Sequence, residues 1–159
     1  MAALLCLPDL FGGITLTESA RGLSGIRFGA TQGASDKTPV LAEAERQLRE
    51  YAAGLRCRFE LELDIAGAPF QLEVWRALQT IPYGETRSYR DIARAVQRPK
   101  GFQAIGQANT RNPLPIVIPC HRVINADGSM GGYGGGLDRK QTLLALEQQY
   151  AYRFRETAA

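Results

Sequence analysis

Histidine is nearly missing from this chain: there is one, His121, in 159 residues. The three cysteines, Cys6, Cys57 and Cys120, are far apart and form no CxxC pair. One histidine and scattered thiols cannot complete a Cys/His zinc set of the usual spacing, so no structural metal is expected. An odd cysteine count without a framework fits a reducing compartment where a free thiol survives, and a cytoplasmic location is expected. No apolar run approaches the roughly 20 residues of a membrane span. The start, Met1-Ala2-Ala3-Leu4-Leu5-Cys6-Leu7, lacks the basic region of a signal peptide and reads as a short strand. There is no GxxxxGK[ST] and no strand–GxGxxG–helix context, which excludes a nucleotide-phosphate loop. Metalloproteins, membrane proteins and P-loop enzymes are set aside on these grounds.

What is present is ordinary in bulk and uneven in detail. Apolar content is 45% and net charge +3, in a length that suits one domain or two small ones sharing a core. Residues 1–66 carry −2 and residues 67–159 carry +5. Residues 86–122 alone reach +6, with Arg87, Arg90, Arg94, Arg98, Lys100, Arg111 and Arg122 against Asp91. Such a patch suggests a polyanionic partner, although a solvated helix face would look the same.

Residues 1–66 read as a small α/β scaffold. Residues 13–18 and 23–28 alternate and predict a hairpin with its turn near Ala20-Arg21-Gly22. A polar loop over 33–37 leads to Thr38-Pro39, an N-cap followed by proline at the first helical position. Val40, Leu41, Ala44, Leu48 and Tyr51 make one helical stripe, and Gly54 is a suitable stop. Residues 59–65 alternate and predict another strand. Nothing here carries chemistry, and Cys6 and Cys57 are most simply structural. Ala66-Gly67-Ala68-Pro69 marks the expected boundary.

Residues 67–159 read as mostly helical. Pro69 opens a helix with Phe70, Val74, Ala77, Leu78 and Ile81 on its apolar face and Trp75 in the core, and Pro82-Tyr83-Gly84 breaks it. Ser88, with Asp91 three residues on, is a capping-box start for an amphipathic helix through Tyr89, Ile92, Ala93 and Val96. After a break at 98–101, a further helix runs from Phe102 to about Arg111 and stops at Asn112-Pro113. Two short helices across a tight break make a candidate helix-turn-helix, a pattern many helix pairs share. Ala104, Gly106 and Ala108 leave the second helix lightly clad, which suits close packing or entry into a narrow groove, for DNA the minor groove.

Ile116-Val117-Ile118 is β-branched and predicts a short buried strand stopped by Pro119. Cys120 then stands directly before His121 and Arg122. A lone cysteine is more often a small core residue. A thiol beside an imidazole and a fixed cation is instead the setting for a reactive thiolate. Residues 131–136 are too rich in glycine for regular structure and read as a loop passing close to something flat. Asp138 is the expected cap of a last helix on which Leu143, Leu144 and Leu146 pack. Glu147 on that helix either faces solvent or points inward and needs a partner, for which His121 is the natural candidate. Cys120, His121 and Glu147 would then form a relay in which carboxylate orients imidazole and imidazole takes the thiol proton.

Pro119-Cys120-His121-Arg122-Val123-Ile124, Asn112-Pro113, Gly134-Gly135-Gly136-Leu137, Phe70-Gln71-Leu72-Glu73-Val74-Trp75, Ile81-Pro82-Tyr83-Gly84-Glu85-Thr86 and Ser88-Tyr89 together resemble the O6-alkylguanine-DNA alkyltransferases, dense over residues 66–150 and loose before them. The resemblance implies a ribonuclease-H-like N-terminal domain and a winged-helix-like helix-turn-helix in the C-terminal one. It implies irreversible transfer of an alkyl group from O6 of guanine in double-stranded DNA to Cys120, without a cofactor, by a monomer that acts once. O4-alkylthymine is a second candidate substrate. A base inside a duplex cannot reach a buried thiol, so the nucleotide would be flipped out. Tyr89 would rotate the target phosphate and donate to guanine N3, Asn112 would shape the turn before the cysteine, and a water would bridge Cys120 and His121. Ser88, Gln103, Ala104, Gly106, Arg111 and Arg122 would contact DNA. Tyr133, Gly134, Met130, Lys140 and Pro115 would line the alkylguanine pocket. One departure stands out: Gln103 occupies a position where many relatives carry an arginine that fills the gap behind the flipped base. Weaker and more salt-sensitive extrusion is expected from it, with activity retained. Two other readings compete, a cysteine hydrolase using the same three residues and a DNA-binding regulator with an inert thiol.

Overall fold

The computed structural model describes residues 3–29, 35–98 and 100–155. Residues 33–34 of the expected polar loop and Pro99 of the expected interhelical break lie outside them. The chain divides into two compact units, Met1–Ile65 and Ala66–Ala159.

The first unit is an antiparallel meander with one helix. Strands β1 (Ala3–Leu7), β2 (Ile14–Ser19) and β3 (Gly22–Phe28) pair in that order, with Leu5 opposite Leu16 and Leu16 opposite Ile26. The buried face is read off the alternation, with Leu5, Leu7, Ile14, Leu16 and Ile26 all inside. Helix α1 (Pro39–Ala52) starts as its sequence predicts: Thr38 Oγ1 accepts from the Leu41 amide at 3.1 Å and Pro39 takes the first position. It buries Leu41, Ala44, Leu48 and Tyr51.

The strand expected over residues 59–65 does not form. Only Leu63 bridges to the sheet, opposite Leu23. Three residues earlier the partner is a side chain: the Glu60 amide donates to Gln47 Oε1 at 2.9 Å, and Gln47 Nε2 donates to the Glu60 carbonyl at 3.1 Å. A helix-borne amide thus satisfies both backbone groups that a neighbouring strand would have taken.

The second unit holds α2 (Pro69–Leu78), the two-residue strand β4 (Arg87–Ser88), α3 (Tyr89–Ala95), α4 (Phe102–Thr110), the strand β5 (Val123–Ile124) and α5 (Leu137–Tyr150). β4 and β5 pair in parallel, Arg87 opposite Val123. The capping box is present: Ser88 Oγ accepts from the Asp91 amide at 3.0 Å and Asp91 Oδ2 accepts from the Ser88 amide at 2.9 Å. Trp75 is 2% exposed and donates its indole N–H to the Ala108 carbonyl at 2.9 Å, tying α2 to α4. Ala108 therefore faces inward, and the lightly clad outer surface of α4 is made by Ala104 and Gly106 alone. Asp138 is not the cap of α5. Gly136, at φ 93°, precedes the helix, and Asp138 lies in its first turn, where a carboxylate still complements the helix dipole. Leu143 is buried, while Leu144 and Leu146 are half-buried. No helix among the described residues is long and apolar enough to cross a membrane.

Candidate active site

The β-branched run before the cysteine is a turn, not a strand. Ile118 donates its amide to the Leu114 carbonyl at 2.8 Å, and Ile116 stands at φ 77°. A β-branched residue is strained there. Asn112 holds the turn from both ends: its Oδ1 accepts from the Leu114 amide at 2.9 Å and its Nδ2 donates to the Ile118 carbonyl at 2.7 Å. Leu114, Ile116 and Ile118 are at most 1% exposed, and each such burial is worth about 1.5–3 kcal/mol, enough to offset the strain. Pro119, at φ −80° and ψ 65°, then makes an inverse γ-turn in which the Cys120 amide donates to the Ile118 carbonyl at 2.8 Å. Cys120–Arg122 is one 3-10 turn, so three adjacent functional residues fan out over a single tight bend.

Glu147 reaches this bend from α5 and is 1% exposed. Its Oε2 accepts from His121 Nε2 at 2.7 Å and from Arg122 Nη2 at 2.9 Å. Its Oε1 accepts from Arg122 Nε at 2.8 Å and from the Gly84 amide at 3.1 Å. Burial would raise its pKa, but the hydrogen bonds and charges of His121 and Arg122 outweigh burial and hold the carboxyl far below its ordinary range. An ionised carboxylate only accepts, so His121 Nε2 must carry the proton in this pair. That assigns the tautomer and leaves Nδ1 with a free lone pair. Nδ1 is buried and has no hydrogen-bond partner among the described residues. Burial also lowers the His121 pKa, against the pull of Glu147, so the ring is neutral at rest and its Nδ1 is an acceptor.

Arg122 corrects the expectation that it meets DNA. It is 6% exposed and spends its guanidinium on Glu147 and, at 2.6 Å, on the Ile81 carbonyl. It belongs to the relay as the second cation on the carboxylate.

Cys120 is 4% exposed, and burial pushes its thiol up to about 11, with the Asn112 amide, the Lys140 charge and the Tyr133 hydroxyl pulling the other way. The resting group is a sheltered thiol. Lys140, expected to line the pocket, is wholly buried. Its Nζ donates to the carbonyls of Val123 at 2.6 Å, Gly132 at 3.2 Å and Met130. Burial draws it down to about 8, still an ammonium at neutral pH, as three acceptor carbonyls require. It therefore clasps the loop after β5 onto the site, and Met130 contributes its carbonyl to that clasp. Pro115 is buried in the turn before the cysteine and bridges to Ile118.

Two cavities of about 490 and 540 Å³ open beside this centre, and both are lined by Tyr89, Gln103, Gly106 and Gly132. Tyr133, Gly134 and Arg111 line the second. Burial raises the Tyr89 hydroxyl's pKa, keeping it a donor. The flat object against the glycine loop is the Tyr89 ring: at Gly131, φ 69°, a β-carbon would lie 3.1 Å from Tyr89 Cε2. On α4, Gln103 and Ala104 are exposed, and a β-carbon at Gly106 would meet nothing within 4 Å. The structure thus unites Cys120, His121, Glu147 and Asn112, and places Tyr89, Tyr133 and Gly134 at the adjoining cavities. Ser88 is occupied in capping α3. Sequence reasoning missed the Gly84 amide, read only as a helix breaker, and Asn109. Asn109 donates to the Cys120 carbonyl at 3.3 Å and lines the second cavity, and nothing in its helical context signals this.

Residues 69–149 match the family model described as 6-O-methylguanine DNA methyltransferase, DNA binding domain. Over 119 residues the chain is 56% identical to a methylated-DNA–protein-cysteine methyltransferase of Mycolicibacterium paratuberculosis, covering 75% of this chain and 72% of that protein. It is 51% identical over 117 residues to the constitutive methylated-DNA–protein-cysteine methyltransferase of Bacillus subtilis, covering 74% and 71%. The crystal structure of Mycobacterium tuberculosis OGT in complex with DNA is similar at a TM-score of 0.85 and 40% identity, covering 93% of this chain and 94% of that one.

Proposed function

The chain belongs to the methylated-DNA–protein-cysteine methyltransferase family, and we propose that it repairs O6-alkylguanine in duplex DNA by moving the alkyl group onto Cys120 and keeping it. The observation that carries the mechanism is the saturated carboxylate of Glu147, which leaves His121 Nδ1 as the one basic lone pair of the relay. His121 takes the Sγ proton, directly or through a bridging water. The thiolate attacks the alkyl carbon in line, the C–O6 bond breaks, and its electron pair stays on the purine. Tyr89 donates to N3 of the departing base. A thiol held near 11 gives a thiolate of high intrinsic nucleophilicity, formed only when the base acts. The product is a thioether, a bond from which a thiolate does not readily leave, so each molecule works once.

The nucleotide reaches the thiol by rotating out of the stack, for which the duplex must be unpaired locally. In this reading α3 and α4 act as a winged-helix-like helix-turn-helix. The exposed face formed by Gln103, Ala104 and Gly106 enters the minor groove, and Arg111 meets the backbone. Tyr133 and Gly134 bound the pocket. The first unit is a ribonuclease-H-like scaffold. O4-alkylthymine offers the same leaving-group chemistry and is the second substrate to assay.

The test is intact-protein mass after incubation with a duplex holding one O6-methylguanine. One methyl group gained per protein, and none in Cys120→Ala, is the expected result. More lesions repaired than protein molecules present would overturn single use, and an unmodified wild-type protein would overturn the transfer.

A further inference from the structure

The outer face of α4 is made of small or polar residues, with one exception. Gln103, Ala104, Gln107 and Thr110 are exposed and Gly106 has no side chain. Phe102, the first residue of the helix, is 45% exposed, while the other five phenylalanines are at least partly covered. It lines the 490 Å³ cavity together with Tyr89, Arg90, Gln103 and Gly106. Gly106 lies one helical turn beyond it, with open space where its side chain would be. A large ring therefore projects from the tip of a helix whose next turn is cut back to backbone. Being uncharged, it gains nothing from a phosphate. It gains from a flat apolar surface, and unstacked bases supply one.

We propose that Phe102 is a wedge that enters the base stack at the gap left by the extruded nucleotide, with Gln103 beside it bonding the base left without a partner. The inference rests on the reading of α4 as the DNA-contacting helix. Apolar side chains that part base steps from the minor groove are a known way of holding a duplex open. An aromatic face stacks on any base, so the wedge is indifferent to sequence. The neutral Gln103 amide can recognise an edge but cannot replace lost stacking, and Phe102 supplies that part. Gly106 and Ala104 let the helix tip sink far enough for the ring to reach.

Two readouts test this. Single-turnover methyl transfer is measured for wild type, Phe102→Ala and Phe102→Trp with lesion duplex and with free O6-benzylguanine. The expected result is a loss of roughly tenfold or more for Phe102→Ala on duplex, from the worth of one stacking contact. Phe102→Trp should retain the rate, and the free base should react equally well with all three. The duplex loss should persist from low to high salt, because no counterion is released at an uncharged contact. An unchanged duplex rate, or an equal loss on the free base, overturns the wedge. The second readout is a fluorescent base analogue beside the lesion, which reports unstacking without chemistry. A wild-type protein that unstacks the analogue but gains no methyl group overturns the proposed transfer and keeps the wedge. A protein that is methylated, with a Phe102→Ala variant that unstacks the analogue as fully, overturns the wedge and keeps the transfer.

Discussion

Glu147 does its work through the number of donors it collects. Four hydrogen bonds converge on it from His121, Arg122 and Gly84. Replacing it by glutamine puts an NH₂ group where one oxygen accepts two of those bonds, so both of those are lost and the hold on the imidazole is weakened. His121→Ala should slow single-turnover methyl transfer by about 10²- to 10⁴-fold, the usual worth of a positioned general base, and Glu147→Gln should move the rate in the same direction. Equal rates in all three proteins would remove the relay from the mechanism. Arg122→Met strips the carboxylate of its second cation while leaving it buried. A loss of about 3–5 kcal/mol in urea unfolding is expected, the cost of breaking a buried ion pair from one side. At this scale the sequence was legible for residue types and unreliable for direction. Cys120 and His121 were evident from adjacency. Arg122 was counted as outward charge because its partner lies 25 residues away on α5, and no local pattern reports that distance.

Among the elements, helices with caps were read correctly and strands without partners were not. Thr38-Pro39 and Ser88 with Asp91 are satisfied within four residues of chain, so the sequence contains the whole interaction. Residues 59–65 and 116–118 alternate or are β-branched as strands should be. The first lost its partner to the Gln47 side chain, and the second was folded into a turn by Asn112. The glycine loop was expected to pass something flat, and Tyr89 is what it passes. Gly131→Ala brings both a positive-φ penalty and a contact at 3.1 Å with that ring. We expect about 1 kcal/mol of lost stability by denaturant midpoint. We also expect slower single-turnover transfer from both the lesion duplex and a free alkylguanine base, because the displaced Tyr89 hydroxyl is the donor to N3 of the departing base in each.

Across the molecule, charge and protonation divide by unit. The cationic surplus of residues 86–122 survives folding at Arg90, Arg94, Arg98, Lys100 and Arg111, all exposed, and loses Arg122 to the interior. Acid should destabilise the second unit through two groups acting in the same sense. His121 has its folded pKa lowered, so the unfolded chain binds a proton first. Its contribution is complete above about 6.5 and is lost as pH falls below that value. Glu147 is also lowered, and its contribution is lost as pH falls below about 4.3, the value of the unfolded carboxyl. Urea midpoints at pH 7.5, 5.5 and 4 should therefore decline in order, and His121→Gln should flatten the step between the first two. A midpoint that rises on acidification would show that neither group is held as described.

Sequence by itself determined what could be decided within a turn or two of chain: the starts of α1 to α4, the hairpin of β2 and β3, the polarity of the two halves, and a cysteine set beside the only histidine. Motif density over residues 66–150 carried the family as well, because each motif is a run of neighbours. Tertiary structure decided everything that needed a partner from afar. It turned Glu147 inward to fix the histidine tautomer, drew Arg122 out of the surface charge, set Lys140 to holding the loop after β5, and converted a β-branched run into a strained turn. The physical reason is the same in each case. A buried polar group must be satisfied by whatever lies nearest in space, and which residue that is depends on packing that no stretch of sequence contains.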